Sequence, residues 1–277
     1  MYRNLIYIVL LLLLTSSCIK PKKKEEVGIP SSEERAFEIY REAVVLMNTN
    51  QLFLASKKFS EAEMIMPKIE FSAKASLMAS YCLYTINFYE EAIDNLERYI
   101  VKYPANKNIP YAHYIIVLSV YEQILDEKKD IEPALESKRK IAEFLKKFPN
   151  TEYALDLKFK LDLVNNQLAA KELYVAKHYI QSQKWVPAIN RLRKIVDEYE
   201  ETIFIEEALH RLVEIYYKIG LVEEAKAAAT LLGYNYNSSK WYEQSYKIIN
   251  KTYKIENPKN KKKDDGLIKR TIKNLLG

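Results

Sequence analysis

Three histidines, two cysteines and one run of carboxylates are the side chains of this 277-residue chain best suited to chemistry. A histidine acts as a base or a metal ligand when a second suitable group stands beside it. His113, His178 and His210 lie in separate periodic stretches, with no His-x-x-x-His pair, Cys-x-x-Cys pair or glycine-rich phosphate loop. Glu90, Glu91, Asp94 and Glu97 offer paired carboxylates, which do acid–base work only in a cleft that shifts their pKa values. Their spacing instead places them on the outward steps of a helix. Cys82 falls among Ala79, Leu83 and Ile86, the apolar setting of a buried, inert thiol. The expectation is a protein with no catalytic residue, no metal and no dissociable cofactor.

Cys18 is the exception, because its chemistry is covalent attachment. It follows Arg3, an apolar run from Leu5 to Leu14, and Thr15-Ser16-Ser17. A basic start, a short apolar core and small residues at the cut make a secretory signal, and the run is too short for a span of about 20 apolar residues. A cysteine directly after such a cut resembles the lipobox of bacterial lipoproteins, although Thr15 stands where leucine is usual. That resemblance implies a signal peptide over 1–17, an S-diacylglycerol and N-acyl lipid on Cys18, and a two-chain membrane anchor. Residues 18–32, with four lysines between Lys20 and Lys24, read as a flexible tether.

The elements that carry these residues are helical. Five glycines and nine prolines in 277 residues leave too few turn formers for a β-rich chain. From Ser31 or Ser32, either a suitable N-cap, apolar residues recur at three- and four-residue steps to about residue 255. Breaks fall at Asn48–Asn50, Pro67, Ile86-Asn87, Pro104, Pro149, Gln183, Glu200-Glu201 and Gly220. Two of the intervals between matching segments are 37 residues, which points to an internal repeat. Ala55, Phe59, Ala62 and Pro67 match the tetratricopeptide pattern of small, large, small and proline. Ala92, Leu96, Tyr99 and Pro104 keep its spacing, as do Ala188, Leu192, Ile195 and Glu200 and, most weakly, Ala225, Ala229, Leu232 and Asn237. A small residue lets paired helices approach, a large one fills the groove between pairs, and proline stops the second helix. A central pair is expected over Pro110–Asp126 and Glu132–Lys147, followed by one long helix to Ser182, or two joined near Gln167-Leu168. A last helix from Tyr242 to about Lys254 would cap the stack. The fold class is all-α: a right-handed α-solenoid of about five helical hairpins.

Such solenoids bind through the inner faces of their first helices. Tyr40, Tyr81, Tyr84, Tyr114 and Tyr121 fall on those helices, some in the core and others offering rings and hydroxyls to an extended segment. Trp185, Asn190, Arg191 and Arg193 cluster around one helix start, and Trp and Arg are enriched at binding hot spots. Arg191 is expected to pair with an acidic partner residue or, locally, with Asp197 or Glu198. The net charge of +6 gathers at the ends, in Lys20–Lys24 and Lys259–Lys273, which suits anionic headgroups or acidic surfaces. Nucleic acid is not an expected partner, for no recognition motif appears. Residues 256–277 read as a basic, disordered tail, within which Leu267, Ile268, Ile272, Leu275 and Leu276 could form a short amphipathic helix.

Taken together, Tyr89–Pro104, Tyr111–Ile115 continuing to Tyr121–Asp130, Leu168–Ile180, Trp185–Arg191 and Glu207–Glu214 resemble the BamD/ComL/YfiO family of outer-membrane assembly lipoproteins, in its α-proteobacterial form. The resemblance spans roughly residues 33–245. It implies anchoring in the outer membrane, facing the periplasm, within the complex that assembles β-barrel proteins. It implies three kinds of partner: periplasmic domains of a BamA-type insertase, other Bam lipoproteins, and unfolded outer-membrane β-barrel proteins. Residues 33–149 would then be the client-binding half and 150–255 the docking half, which gives Trp185, Asn190, Arg191 and Arg193 their role. Glu200 and Asn237 depart from the expected prolines and put loop geometry in question. The rival readings are a repeat lipoprotein scaffolding cell-wall synthesis or a secretion pore and, in another class, a helical glycan lyase.

Overall fold

The structure is a computed structural model that describes residues 31–126 and 128–250. The expected leader, Cys18, most of the tether and the basic tail lie outside the described residues. The described chain forms eleven helices: α1 (Ser32–Asn48), α2 (Leu52–Ile65), α3 (Ile69–Thr85), α4 (Tyr89–Lys102), α5 (Ile109–Tyr121), α6 (Glu132–Lys147), α7 (Glu152–Gln181), α8 (Trp185–Glu198), α9 (Ile205–Lys218), α10 (Val222–Asn235) and α11 (Lys240–Ile249). No strand occurs among the described residues. The fold is all-α, five helical hairpins and a closing helix. The expected long run is one helix of 30 residues, α7.

The repeat is written in the backbone. Within four hairpins the turn places one residue at positive φ: Asn50 (60°), Asn87 (64°), Gln183 (55°) and Gly220 (86°). The next N–H then donates back to the carbonyl five residues earlier: Gln51 to Leu46, Phe88 to Leu83, Lys184 to Tyr179, and Leu221 to Tyr216, at 2.8–3.0 Å. This is the left-handed helix stop that Gly and Asn tolerate best. Five residues after each turn comes the small residue, Ala55, Ala92, Ala188 or Ala225, with no exposed surface. The third hairpin differs. Residues 122–126 and 128–131 lie between its helices in place of the tight turn, and the buried trio Ser137, Ile141 and Phe144 falls in the same register before Pro149.

Eleven residues after the small position stands the C-cap of every second helix: Met66, Tyr103, Phe148, Tyr199 and Tyr236. Each donates its N–H to the carbonyl four residues back. Tyr103, Phe148, Tyr199 and Tyr236 share φ between −125° and −136° and ψ between 35° and 52°. The turns before Glu200 and Asn237 therefore keep the geometry of those before Pro104 and Pro149, whereas Met66 before Pro67 is extended, with φ −70° and ψ 117°. A large side chain at the cap, not the proline after it, is what these turns share.

The described chain divides into two compact units between Ala79 and Ser80, inside α3. In the first, Ile39, Ala62 and Ala75 form a core with Tyr40 and Ile65 against it. Ser31 starts α1 with a capping box, its hydroxyl accepting from Glu34 N–H and its own N–H donating to Glu34 Oε2. In the second unit, one cluster joins Ile205, Leu209 and Leu232 with Trp241 and Tyr242 of α11. Cys82 is fully buried, and burial pushes its thiol up to about 11, the inert state expected of it.

Tyr99 fills the position where the pattern asks for a small residue. It has no exposed surface, and its hydroxyl has no hydrogen-bond partner among the described residues. Burial pushes it up to about 12. An unmet buried hydroxyl costs about 1–3 kcal/mol. Tyr99→Phe is therefore expected to raise the unfolding free energy by about 1 kcal/mol in urea titration. A loss of stability instead would mean that the hydroxyl has a partner.

Candidate functional site

The second unit brings a set of tyrosines together on the first helices α3, α5 and α7. The ring of Tyr114 stacks on Tyr153 at 4.8 Å and 24°, and Tyr111 lies 5.7 Å from Tyr153. Tyr84 lies 6.0 Å from Tyr89. The Tyr114 hydroxyl donates to Asp156 Oδ2 at 2.8 Å. Further along, Lys160 Nζ sits 4.7 Å over the Tyr121 ring and 3.9 Å from Asp156.

Burial first, then Tyr81, Tyr153 and Tyr84, push the Tyr111 phenol up to about 12. Burial, then the Asp156 hydrogen bond, drives Tyr114 well above its usual value. Tyr84, Tyr89 and Tyr121 are also raised, chiefly by burial. These hydroxyls therefore stay protonated at neutral pH. The face offers aromatic planes and hydrogen-bond donors, and no phenolate nucleophile.

Of the five tyrosines singled out from sequence, none is fully buried. Tyr81 is 37% exposed, and Tyr40, Tyr84, Tyr114 and Tyr121 are half-buried. Tyr40 belongs to the first unit, where its ring meets Phe59 edge-on at 5.2 Å. The other four lie in the second unit, each of them interacting with Tyr111, Tyr153 or Asp156. Sequence reading missed those three residues. Their signal was spacing, since Tyr111 and Tyr114, like Tyr153 and Asp156, stand three apart on consecutive first helices and so share a face.

Beyond Tyr121 a groove of about 670 Å³ runs between the loop after α5, the middle of α7 and the turn into α9. Polar side chains of α7 hold both banks. Gln167 Nε2 donates to the Leu125 carbonyl at 2.8 Å, and Lys171 Nζ to the Lys129 carbonyl at 3.1 Å. Asn166 Oδ1 accepts from Ile203 N–H at 3.1 Å.

The second candidate cluster opens α8. Lys218 Nζ stands 4.7 Å over the half-buried ring of Trp185, while Asn190, Arg191 and Arg193 are exposed. Arg191 Nη1 donates to Glu172 Oε2 of α7 at 3.0 Å, and Lys194 Nζ to Glu172 Oε1 at 2.8 Å. The Glu172 side chain is only 5% exposed. Arg191 thus pairs locally, but with Glu172 and not with Asp197 or Glu198. Glu172 lies 19 positions earlier, so only the α7–α8 hairpin brings the two together.

The histidines are dispersed. His178 is exposed. His210 is buried, with Nδ1 2.8 Å from Ser245 Oγ of α11 and Nε2 3.5 Å from Glu214. Glu214 is held down to about 2 by His210 and then by Arg211, against its burial. His113 Nε2 accepts from Lys147 Nζ at 3.1 Å. Burial, then Lys147 and Lys140, lower it to about 4. Among the described residues no group of three or more His, Cys, Asp or Glu could hold a metal ion.

Both shifted groups make acid destabilising. Below its unfolded pKa near 6.5, an unfolded His113 takes a proton that the folded one refuses until about pH 4. Stability should therefore fall across that window. Glu214 contributes stability above about 4.5 that is lost as pH falls towards 2. His113→Gln should flatten urea midpoints between pH 6.5 and 4 while leaving the lower step. An unchanged slope in that upper window would rule out His113 as its source.

Five hairpins in one register define a helical-repeat protein. Residues 32–231 match the YfiO family, described as outer membrane lipoprotein. The chain is 36% identical over 237 residues to the outer membrane protein assembly factor BamD of Rickettsia prowazekii, covering 86% of this chain and 92% of that one. The BamD of Caulobacter vibrioides is 38% identical over 192 residues, 69% of this chain and 63% of that one. The BamD of Neisseria meningitidis serogroup A is 26% identical over 211 residues, 73% and 79%. The chain belongs to the YfiO family of outer membrane lipoproteins.

Proposed function

We propose that this chain is the adaptor lipoprotein of an outer-membrane β-barrel assembly complex. The observation that carries this reading is the 36% identity, over 86% of the chain, with a protein named for outer membrane protein assembly. The tyrosine face supplies the binding chemistry the role needs. In the proposal, lipid on Cys18 holds the body at the periplasmic face of the outer membrane. Among the described residues no helix is long and apolar enough to cross a membrane, so a lipid is the anchor this reading uses. Tyr81, Tyr84, Tyr114 and Tyr121, and Tyr40 in the first unit, contact unfolded β-barrel clients. Trp185, Asn190, Arg191 and Arg193 meet periplasmic domains of a BamA-type insertase, with other Bam lipoproteins in the same complex. The mechanism is positional, because protonated phenols and ring faces bind an extended strand without altering it.

The test is affinity purification of the tagged chain from its own membranes in mild detergent. Recovery of the insertase supports the reading, and consistent recovery of cell-wall synthases or secretion-pore subunits in its place overturns it. For the client face, Tyr81→Ala with Tyr84→Ala should weaken binding of a synthetic C-terminal β-barrel peptide at least tenfold. Two aromatic contacts of moderate hot-spot strength justify that size. Circular dichroism should be unchanged, since neither ring is fully buried. An unaltered Kd would remove these tyrosines from the client site.

A further inference from the structure

The groove beyond Tyr121 is apolar where solvent should favour polar groups. Leu125, Leu163, Tyr174 and Ile203 line it and remain 52%, 42%, 46% and 80% exposed. Contiguous exposed apolar surface of this kind marks a binding site. Next to it, sharing Asn166 as a wall, lies a second depression of about 180 Å³. That one is lined by Asp162, Asp197, Glu198, Glu200 and Glu201 and by no lysine or arginine. An occupant that matches both must be apolar on one side and cationic on the other.

The chain itself contains such a segment. Residues 31–250 hold 29 Lys and Arg against 32 Asp and Glu, a net −3, whereas residues 251–277 hold nine against three, a net +6. Within the latter, the spacing of Ile268, Ile272, Leu275 and Leu276 would set them on one face of a helix, with Lys269, Arg270 and Lys273 off it. Reach is sufficient. Ser245 of α11 bonds His210 of α9, and α9 begins at Ile205, beside the Ile203 bank. With helices rising 1.5 Å per residue, Asn250 is within roughly 25 Å of that bank. The sixteen residues 251–266 extend to about 55 Å.

We propose that residues 267–276 dock back on their own chain, placing Ile268, Ile272 and Leu275 in the groove of Leu125, Leu163, Tyr174 and Ile203, with their basic side chains towards Asp162, Glu200 and Glu201. This inference does not depend on the assembly role. It concerns a groove that meets the client face at Tyr121 and shares no lining residue with the Arg191 cluster.

Zero-length carbodiimide coupling followed by peptide mass spectrometry tests it. The sample is the chain from residue 18 onward with Cys18→Ser, mixed with an equal amount of ¹⁵N-labelled chain. The expected result is coupling of Lys269 or Lys273 to Asp162, Glu200 or Glu201 within single copies. It should fall at least fivefold in Ile268→Ser/Ile272→Ser, which keeps every charge, and in Ile203→Ser on the opposite bank. Coupling only between labelled and unlabelled copies would make the occupant a second molecule and overturn the proposal. So would coupling spread over many surface acids and insensitive to the serine changes. If the tail couples only when anionic vesicles are left out, and the serine changes do not affect it, charge alone drives the contact and the groove is not its seat.

Discussion

Leu192→Ala is expected to lower the unfolding free energy by about 3–4 kcal/mol, a large share of the 5–15 kcal/mol typical of a domain. Leu192 has no exposed surface and stands four residues after Ala188, at the wedge position of its hairpin. Removing it deletes buried methyl groups and leaves a cavity that rigid helices on either side cannot close. The equivalent residue of the last hairpin is Ala229, also buried at 5% exposure, so the wedge there is a smaller side chain. Chemical denaturation of the purified variant reads the difference directly. A loss below about 1 kcal/mol would mean that the neighbouring helices collapse into the space, and the wedge argument would fail.

Arg191→Ala is expected to weaken docking on the insertase about 30-fold, close to 2 kcal/mol, the lower bound of a binding hot spot. Folding should suffer by less than about 1 kcal/mol. The reason lies in the pairing of Glu172. That buried carboxylate keeps its 2.8 Å bond to Lys194 when Arg191 is removed, so no charge is left unpaired in the interior. The Arg191 side chain is 45% exposed, so solvent screens its half of the pair and its loss costs the fold little. Glu172 thus acts as a fixed mount that presents Arg191 outward. Titration against purified periplasmic domains of the insertase, alongside urea denaturation of the same variant, separates the two roles. Unchanged affinity would confine Arg191 to holding Glu172.

The hairpin boundaries were legible in the sequence because turns demand particular backbones. Asn50, Asn87, Gln183 and Gly220 each interrupt an apolar period, and each adopts positive φ. The third hairpin was harder to register. Its small residue is Ser137, buried at no exposure, and its loop is long, so neither the alanine nor the turn announces it. The cap at the eleventh position was invisible for another reason. Met66, Tyr103, Phe148, Tyr199 and Tyr236 look like ordinary core residues, and only the hydrogen bond from each N–H to the carbonyl four residues back reveals a common place in the hairpin. Expecting geometry to change at Glu200 gave proline a role that the cap side chain performs.

The candidate surfaces were half legible. Tyrosines on first helices could be named from period alone. Which of them face one another depends on how the hairpins pack, as Tyr114 with Asp156 and Arg191 with Glu172 illustrate. Pairs 42 and 19 residues apart leave no local mark in a sequence.

Helix α7 runs 30 residues without a break, a rod of about 45 Å. Its early turns carry Tyr153 and Asp156, and its later ones carry Glu172, some 28 Å away at the same rise per residue. No joint lies between them that could absorb a displacement. A displacement at the tyrosine end is therefore transmitted along a stiff strut to the Arg191–Glu172 pair, and the two ends can shift only as one body.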